Sequence, residues 1–412
     1  MDTELTKPQK ITIWNRNFIC VVLTNFMLCL AHFSVNTLVA TYATYLGATA
    51  VIMGLLTGMF FGISLAMRPV AGPVTTKLDK RKLLIMVFAL GAVVNVGYAL
   101  FDSILAFVVF RFLNGVQYSL VGSLIMTLAS DNLPKEKLAS GMGVYGVGGA
   151  IGMAFGPMVG VELLNLGTKL KSEGTGFTLV FLFAALVFAL AVIPSAILTP
   201  DKKTKADIAS TGAWYKNIAT IHAVPTTVVL FFLVMAYSVY NAYMIEYSKQ
   251  LGIGNISWFF TVLAGVLVFS RPLSGMLGDR LGAAKVILPG MILFGCSYLI
   301  VGSAKGLPVM LIGAVLAAIG YGSTQPSLQA MCIQTVTPLK RGVASNTIYV
   351  GMDLGFFLGP LLGSVIYDKS QSYSLVYTLT AASVALALIC FIIILPIHRK
   401  RLRELEAIEA LK

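Results

Sequence analysis

Asp353 stands alone as a charged residue in the stretch between Arg341 and Asp368. If that stretch crosses a membrane, the carboxylate lies about 16 Å along the helix from Gly342, near the centre of a hydrocarbon core about 30 Å thick. A carboxylate stripped of water favours its neutral form and can take up and release a proton, which is what proton coupling requires. The competing use is a structural ion pair with Arg68 or Arg271, and one group can serve both purposes. Arg111 lies in another apolar run, about 10 Å from the end near Ile104. An arginine there costs about 2.5 kcal/mol or more unless paired or wetted. It either snorkels to the surface or works within the span, and Asn114 and Gln117 farther along roughly the same face favour the interior. Glu246 follows Tyr237, Tyr240, Asn241 and Tyr243 and is either a surface carboxylate or a cavity group. His32, between Asn25 and Asn36, is either a proton carrier titrating near pH ~6.5 or a hydrogen-bonded packing residue. Tyr321, Gln325 and Gln329 recur every fourth residue on one helix face, and such amides and phenols suit a polar or amphipathic solute better than a bare ion.

The elements that carry these groups must be membrane helices. Of 412 residues, 57% are hydrophobic and 11% charged, where a soluble domain carries about a quarter charged. A water-exposed surface with so few charges would not stay dissolved, so an ordinary soluble enzyme is excluded. Charge runs and Gly/Pro breaks divide the chain into twelve spans: 18–46, 50–75, 83–101, 104–130, 138–164, 176–198, 224–250, 256–278, 285–303, 307–335, 342–367 and 374–397. Runs such as Ile85 to Leu100 are apolar on every face, which argues for helices over barrel strands. The net charge of +13 would suggest nucleic acid on a soluble chain. Here 22 of the 30 Lys and Arg fall in the N-terminus, the even-to-odd loops and the tail. The charge therefore reports topology, with both termini cytoplasmic. Cys20, Cys29, Cys296, Cys332 and Cys390 lie within spans without disulfide or zinc spacing, and no Walker or dinucleotide motif occurs. No cofactor or metal is called for.

The two halves repeat. Gly148, Gly152, Gly156 and Gly160 in span five reappear as Gly351, Gly355, Gly359 and Gly363 in span eleven, each pair differing by 203. Pro157 and Pro360 share that offset, as do Arg68-Pro69-x-x-Gly72 and Arg271-Pro272-x-x-Gly275. Six spans have been duplicated in parallel, giving an N-terminal bundle (1–198), a basic linker (199–223) and a C-terminal bundle (224–412). Glycine at every fourth position makes a smooth ridge that admits a close neighbouring backbone. One ladder is explained by static packing, whereas a symmetry-related pair also fits two bundles that rock against each other.

These features resemble the major facilitator superfamily across nearly the whole chain. Gly275-Met-Leu-Gly-Asp279-Arg280-Leu-Gly282-Ala-Ala-Lys285 is similar to the family's loop motif between spans two and three, here in its second copy. In the first copy, from Gly72 to Arg81, Thr76 replaces the acid that in the family caps a facing helix terminus; Asp79, one turn on, is a substitute. Arg111-Phe-Leu-Asn114-Gly115 resembles a span-four motif whose arginine is linked to proton transfer, and Gly156-Pro157-x-x-Gly160 ends a ladder similar to one associated with antiporters. In the family fold span two faces span eleven, which favours Arg68 as the partner of Asp353.

The expectation is an all-α membrane protein of twelve transmembrane helices, arranged as two six-helix bundles enclosing a cavity whose access alternates. The resemblance implies proton-coupled efflux of a small organic or amphipathic molecule; the alternative is an uptake permease, symporter or facilitator, for a sugar, nucleoside or organic acid. Asp353 and Glu246 head the proton-coupling candidates, with Arg111 and His32. The cavity candidates are Asn25, Asn36, Asn114, Gln117, Tyr237, Tyr240, Asn241, Tyr321, Gln325 and Gln329. Arg68, Gly72, Arg271, Gly275, Asp279, Arg280, the ladder glycines and the two prolines are assigned to the conformational switch. The partners expected are the substrate, a proton and the bilayer of the cell membrane, without nucleic acid, for a chain acting as a monomer.

Overall fold

The computed structural model describes residues 12–200, 213–253 and 256–410. Twelve long helices dominate: α1 Arg16–Asn36, α2 Ala50–Lys77, α3 Lys80–Leu100, α4 Ile104–Asp131, α5 Leu138–Leu170, α6 Glu173–Ile197, α7 Val224–Gln250, α8 Ser257–Leu281, α9 Ala283–Gly302, α10 Leu307–Gln334, α11 Arg341–Ser370 and α12 Tyr373–Ala410. Helix is what lipid demands, because each backbone polar group must be satisfied within its own segment. Eleven stretches are long and apolar enough to cross a membrane, and α2, 28 residues long and packed among them, makes the twelfth span. Side chains of Asn15, Thr49, Asp79, Ser103 and Ser172 accept from early backbone amides and set where α1, α2, α3, α4 and α6 begin. Leu105, Phe269 and Ile393 are among the large apolar side chains on the outer surface, where lipid is the solvent.

The sequence boundaries miss in two places. Span one is a single helix in the sequence reading, yet α1 stops at Asn36 and a short helix, Val39–Tyr45, resumes the span. The Thr37 hydroxyl binds the Phe33 carbonyl and the Leu38 amide reaches only to Val35, so the turn tightens without proline or glycine. At the other end α12 runs well past position 397, because the charged sequence after Pro396 is itself helical, with an Arg401–Glu404 pair at 3.2 Å. Arg401 also donates to the Thr335 carbonyl, tying this extension to the end of α10.

The halves repeat in packing as in sequence. α1 lies on α5 as α7 lies on α11, α2 on α4 as α8 on α10, and α3 on α6 as α9 on α12. Between the halves, α2 meets α11 and α5 meets α8, with α4–α11 and α5–α10 contacts beside them. Of the linker, 201–212 lie outside the described residues; Trp214–Asn217 forms a short 3-10 turn.

Candidate transport site

The two interfaces between halves carry three of the four buried charges, Arg68, Asp353 and Arg271. On the α2–α11 side, Arg68 and Asp353 are 1% and 2% exposed, and Arg68 Nε donates to Asp353 Oδ2 at 2.8 Å. Ser64, one turn before Arg68, donates to the same oxygen at 2.9 Å. Arg68 Nη1 donates to the Ser119 carbonyl of α4, and its guanidinium lies 4.9 Å from the centre of the Tyr349 ring. An ion pair dehydrated this far needs further partners, and here Ser64 serves Asp353 Oδ2 while the Ser119 carbonyl and the Tyr349 ring serve the guanidinium. Ser64 and Tyr349 were missed in the sequence. The signal was spacing: each precedes its charged neighbour by four residues, hence on the same face.

On the α5–α8 side, Arg271 takes the symmetry-related position without a carboxylate. Its Nη1 donates to the Gly146 carbonyl and its Nη2 to Gln325 Oε1 at 2.8 Å. A Cβ at position 146 would meet Arg271 Nη1 at 2.9 Å, so a side chain there would push the guanidinium aside. Tyr237 and Tyr321 stack beside it, centroids 4.0 Å apart and planes at 3°. Arg271 and Arg68 lie about 15 Å and 14 Å along their helices from the nearer ends, deep in the bundle rather than near its face. Arg111 is also buried: it donates to Asn36 Oδ1 (2.7 Å), the Leu56 carbonyl (3.1 Å) and Asn114 Oδ1 (3.5 Å), and lies over Phe60. It does not snorkel.

The other sequence candidates divide by location. Asn25 donates to the Tyr145 carbonyl, joining α1 to α5, and Gln329 reaches Met352 Sδ across α10 and α11. Asn241 is exposed and donates to the Tyr237 carbonyl. His32 is buried between the rings of Phe60 and Tyr118, while Asn36 turns to Arg111. Three candidates lie away from the interfaces between the halves. Glu246 is half-exposed and pairs with Lys249 at 2.7 Å, at a helix end where lone charges are solvated. Gln117 faces Gly91 of α3, and Tyr240 bonds Ser297 and stacks on Tyr298, so both point into their own bundles. The glycine ladders likewise pack within the halves. The first packs on α1, where a Cβ at Gly152 would meet the Phe26 carbonyl at 2.7 Å; the second packs on α7, where one at Gly351 would meet the Thr227 carbonyl at 2.7 Å. They bind helices within each half, and the surface between halves uses other glycines, Gly143, Gly146, Gly275 and Gly72.

A family model described as the Major Facilitator Superfamily matches residues 21–255 and 226–411. The chain belongs to the major facilitator superfamily. It is thus a multi-pass secondary transporter and not an enzyme. Among curated proteins, the multidrug resistance protein MdtG of Proteus mirabilis (strain HI4320) is 27% identical over 359 residues, covering 82% of this chain and 85% of that protein. Two solved structures share its fold: the fucose transporter FucP in an outward conformation, with TM-score 0.74, 14% identity and 94% and 99% coverage, and the human organic anion transporter MFSD10, with 0.71, 16%, and 91% and 98%.

The superfamily loop motif is intact in geometry at its second copy. Asp279 accepts from the amides of Ala139 and Ser140, both at 3.0 Å, so a carboxylate of one half caps the start of α5 in the other. Gly282, with φ 90°, makes the one-residue connection from α8 to α9 that an L side chain would strain. Arg280 is exposed beside it. At the first copy Thr76 bonds its own helix at the Gly72 carbonyl, and Asp79 caps α3 at Lys82. Asp79 therefore does not substitute for the missing acid. The linker closes that side: Asn346 donates to the carbonyls of Arg68 and Ile218, the Thr220 amide to Thr347, and Lys340 to Asn217. Arg341 adds a bond to the Ser130 carbonyl at 2.7 Å.

Proposed function

We propose that this transporter exports a small organic or amphipathic molecule in exchange for protons, by alternating access between its two halves. The observation that carries the reading is the Arg68–Asp353 pair, a buried titratable bond that joins one half to the other. A proton on Asp353 removes the charge that holds Arg68, loosening α2 from α11 after substrate has left outward and favouring the return of the protonated carrier to the inward-open state. The bundle face carrying both chain ends is closed by Asp279 and by the linker contacts. The distribution of Lys and Arg supports a cytoplasmic position for that face, in a protein of the cell membrane. The closed face thus corresponds to a state open outward, where an external proton can enter. Residues 1–198 and 224–412 form the two moving units, 199–223 links them, and a single chain contains the whole pathway. The relative named for multidrug resistance supports export over uptake.

Purified protein in proteoliposomes tests the coupling. Compounds found by a thermal-stability screen are driven by an imposed pH gradient, and Asp353→Asn should abolish gradient-driven accumulation while downhill exchange continues. Full gradient-driven flux in Asp353→Asn would refute the assignment. Proton movement with substrate rather than against it would replace export with symport.

A further inference from the structure

Four residues with full formal charge are buried among the described residues of the spans: Arg68, Arg111, Arg271 and Asp353. Three cations against one anion leave two guanidiniums without a carboxylate. They are not equivalent. Arg111 has acceptors for Nε, Nη1 and Nη2 and an aromatic face beneath it. Arg271, 7% exposed, has acceptors at both Nη atoms, but its Nε has no partner among the described residues. The internal repeat shows what is missing. Arg68 sits over Tyr349 and bonds Asp353 one turn on; at the same offset of 203, Arg271 bonds the Gly146 carbonyl, and the position equivalent to Asp353 holds Ala150. The arginine recurs in the second interface and its counter-ion does not.

The groups that interact with Arg271 are neutral. They are Cys29 of α1, Tyr145 and Gly146 of α5, Tyr237 of α7, and Tyr321 and Gln325 of α10. Gln325 is partly exposed and Asn241, bonded to the Tyr237 carbonyl, is exposed, so this group of phenols and amides is not sealed on every side. A dehydrated guanidinium with a spare N–H binds carboxylate-type oxyanions more strongly than it binds neutral acceptors. An apolar and aromatic surround with few polar groups is the usual lining of a small-molecule site.

We propose that Arg271 is the recognition group of the transport site and that the substrates of this protein are small organic anions, held by a carboxylate or similar oxyanion at Nε with the apolar body against Tyr237 and Tyr321. This rests on the transporter reading and narrows its substrate class. The missing carboxylate at position 150 is then supplied by the cargo, so the loaded α5–α8 interface has the same charge pairing as the α2–α11 interface.

Binding is measured on purified protein with four probes of one shape: benzoate, benzenesulfonate, benzamide and benzyltrimethylammonium. Benzoate and benzenesulfonate should raise the thermal midpoint in a saturable way, and the neutral and cationic probes should not. Arg271→Gln should weaken anion binding at least about tenfold, the loss expected for a charge-assisted hydrogen bond in a dry site, while Arg271→Lys retains part of it. Ala150→Asp keeps the guanidinium but supplies an internal counter-ion, and should weaken anion binding as strongly. This second variant keeps the test decisive if Arg271→Gln does not fold. Equal stabilisation by all four probes, or anion binding unchanged in Ala150→Asp, would overturn the proposal. Counterflow of benzenesulfonate in proteoliposomes separates the two readings. Anion binding without counterflow would count against transport alone, and counterflow of the cation without anion binding would count against the anion site alone.

Discussion

Removing one member of the Arg68–Asp353 pair and removing both have different consequences. The pair is dry, and each charge is tolerated because of the other. Asp353→Leu alone leaves a guanidinium in the bundle core facing Ser64 and a backbone carbonyl, a loss of about 3–5 kcal/mol for a buried pair broken on one side. Arg68→Met with Asp353→Leu removes both charges and should recover most of that loss, because the desolvation penalty disappears with the attraction. Thermal melts of the two single variants and the double variant measure this. A double variant no more stable than Asp353→Leu would show that the pair is not energetically coupled. Asp353 was legible in the sequence because a lone carboxylate in an apolar run has few physical excuses. Ser64 and Tyr349 were not, because a serine or tyrosine in a span is ordinary until its neighbour across the interface is known. Glu246 is ambiguous for the opposite reason: a helix end and a cavity mouth look alike in one dimension, and in the structure it pairs with Lys249 three residues on.

At the scale of helices, spacing shows which residues share a face and not what that face meets. The ladder on α5 was visible as a ridge, and a ridge fits a sliding surface and a static seam equally well. In this structure its contacts are those of a seam with α1: a Cβ at Gly152 would lie 2.6 Å from Cys29 Cβ and 2.7 Å from the Phe26 carbonyl. Gly152→Ala should therefore destabilise the N-terminal bundle by about 1–3 kcal/mol through overpacking. Gly62 on α2 has open space where its Cβ would go, so Gly62→Ala should be neutral or should gain up to about 1 kcal/mol in helix propensity. Melting of both purified variants checks the contrast, and a Gly152→Ala protein as stable as the parent would return the ladder to the moving surface. Gln117 and Tyr240 show the same ambiguity of face. The twelve spans themselves were legible because lipid imposes length and hydrophobicity on each, whereas the break after Asn36 depends on one threonine hydroxyl competing for a carbonyl.

For the molecule as a whole, the duplication has left two gates that are related by sequence but closed by different chemistry. At α5–α8 a carboxylate caps a helix start, Asp279 to Ala139 and Ser140. At α2–α11 Thr76 replaces the acid, and the chain between the halves fills the place, with Asn217 and Ile218 carbonyls against Gly72 and Thr220 bonded to Thr347. A linker used this way is part of the gate, and its sequence should matter beyond its length. Replacing residues 213–220 with a glycine–serine segment should raise hydrogen–deuterium exchange at the start of α11, from Arg341 to Ile348, and leave the start of α5, from Leu138 to Tyr145, near its original rate. Asp279→Asn should do the reverse. It removes a charge from a helix N-terminus worth up to about 1 kcal/mol, hence roughly a fivefold gain in the opened population at α5. Both changes raising exchange at both helix starts would mean that the gates open as one body, and the unequal latches would then tune a single equilibrium. Separate responses would mean that each interface opens on its own terms, with the linker setting how readily the titratable Arg68–Asp353 side yields to a proton.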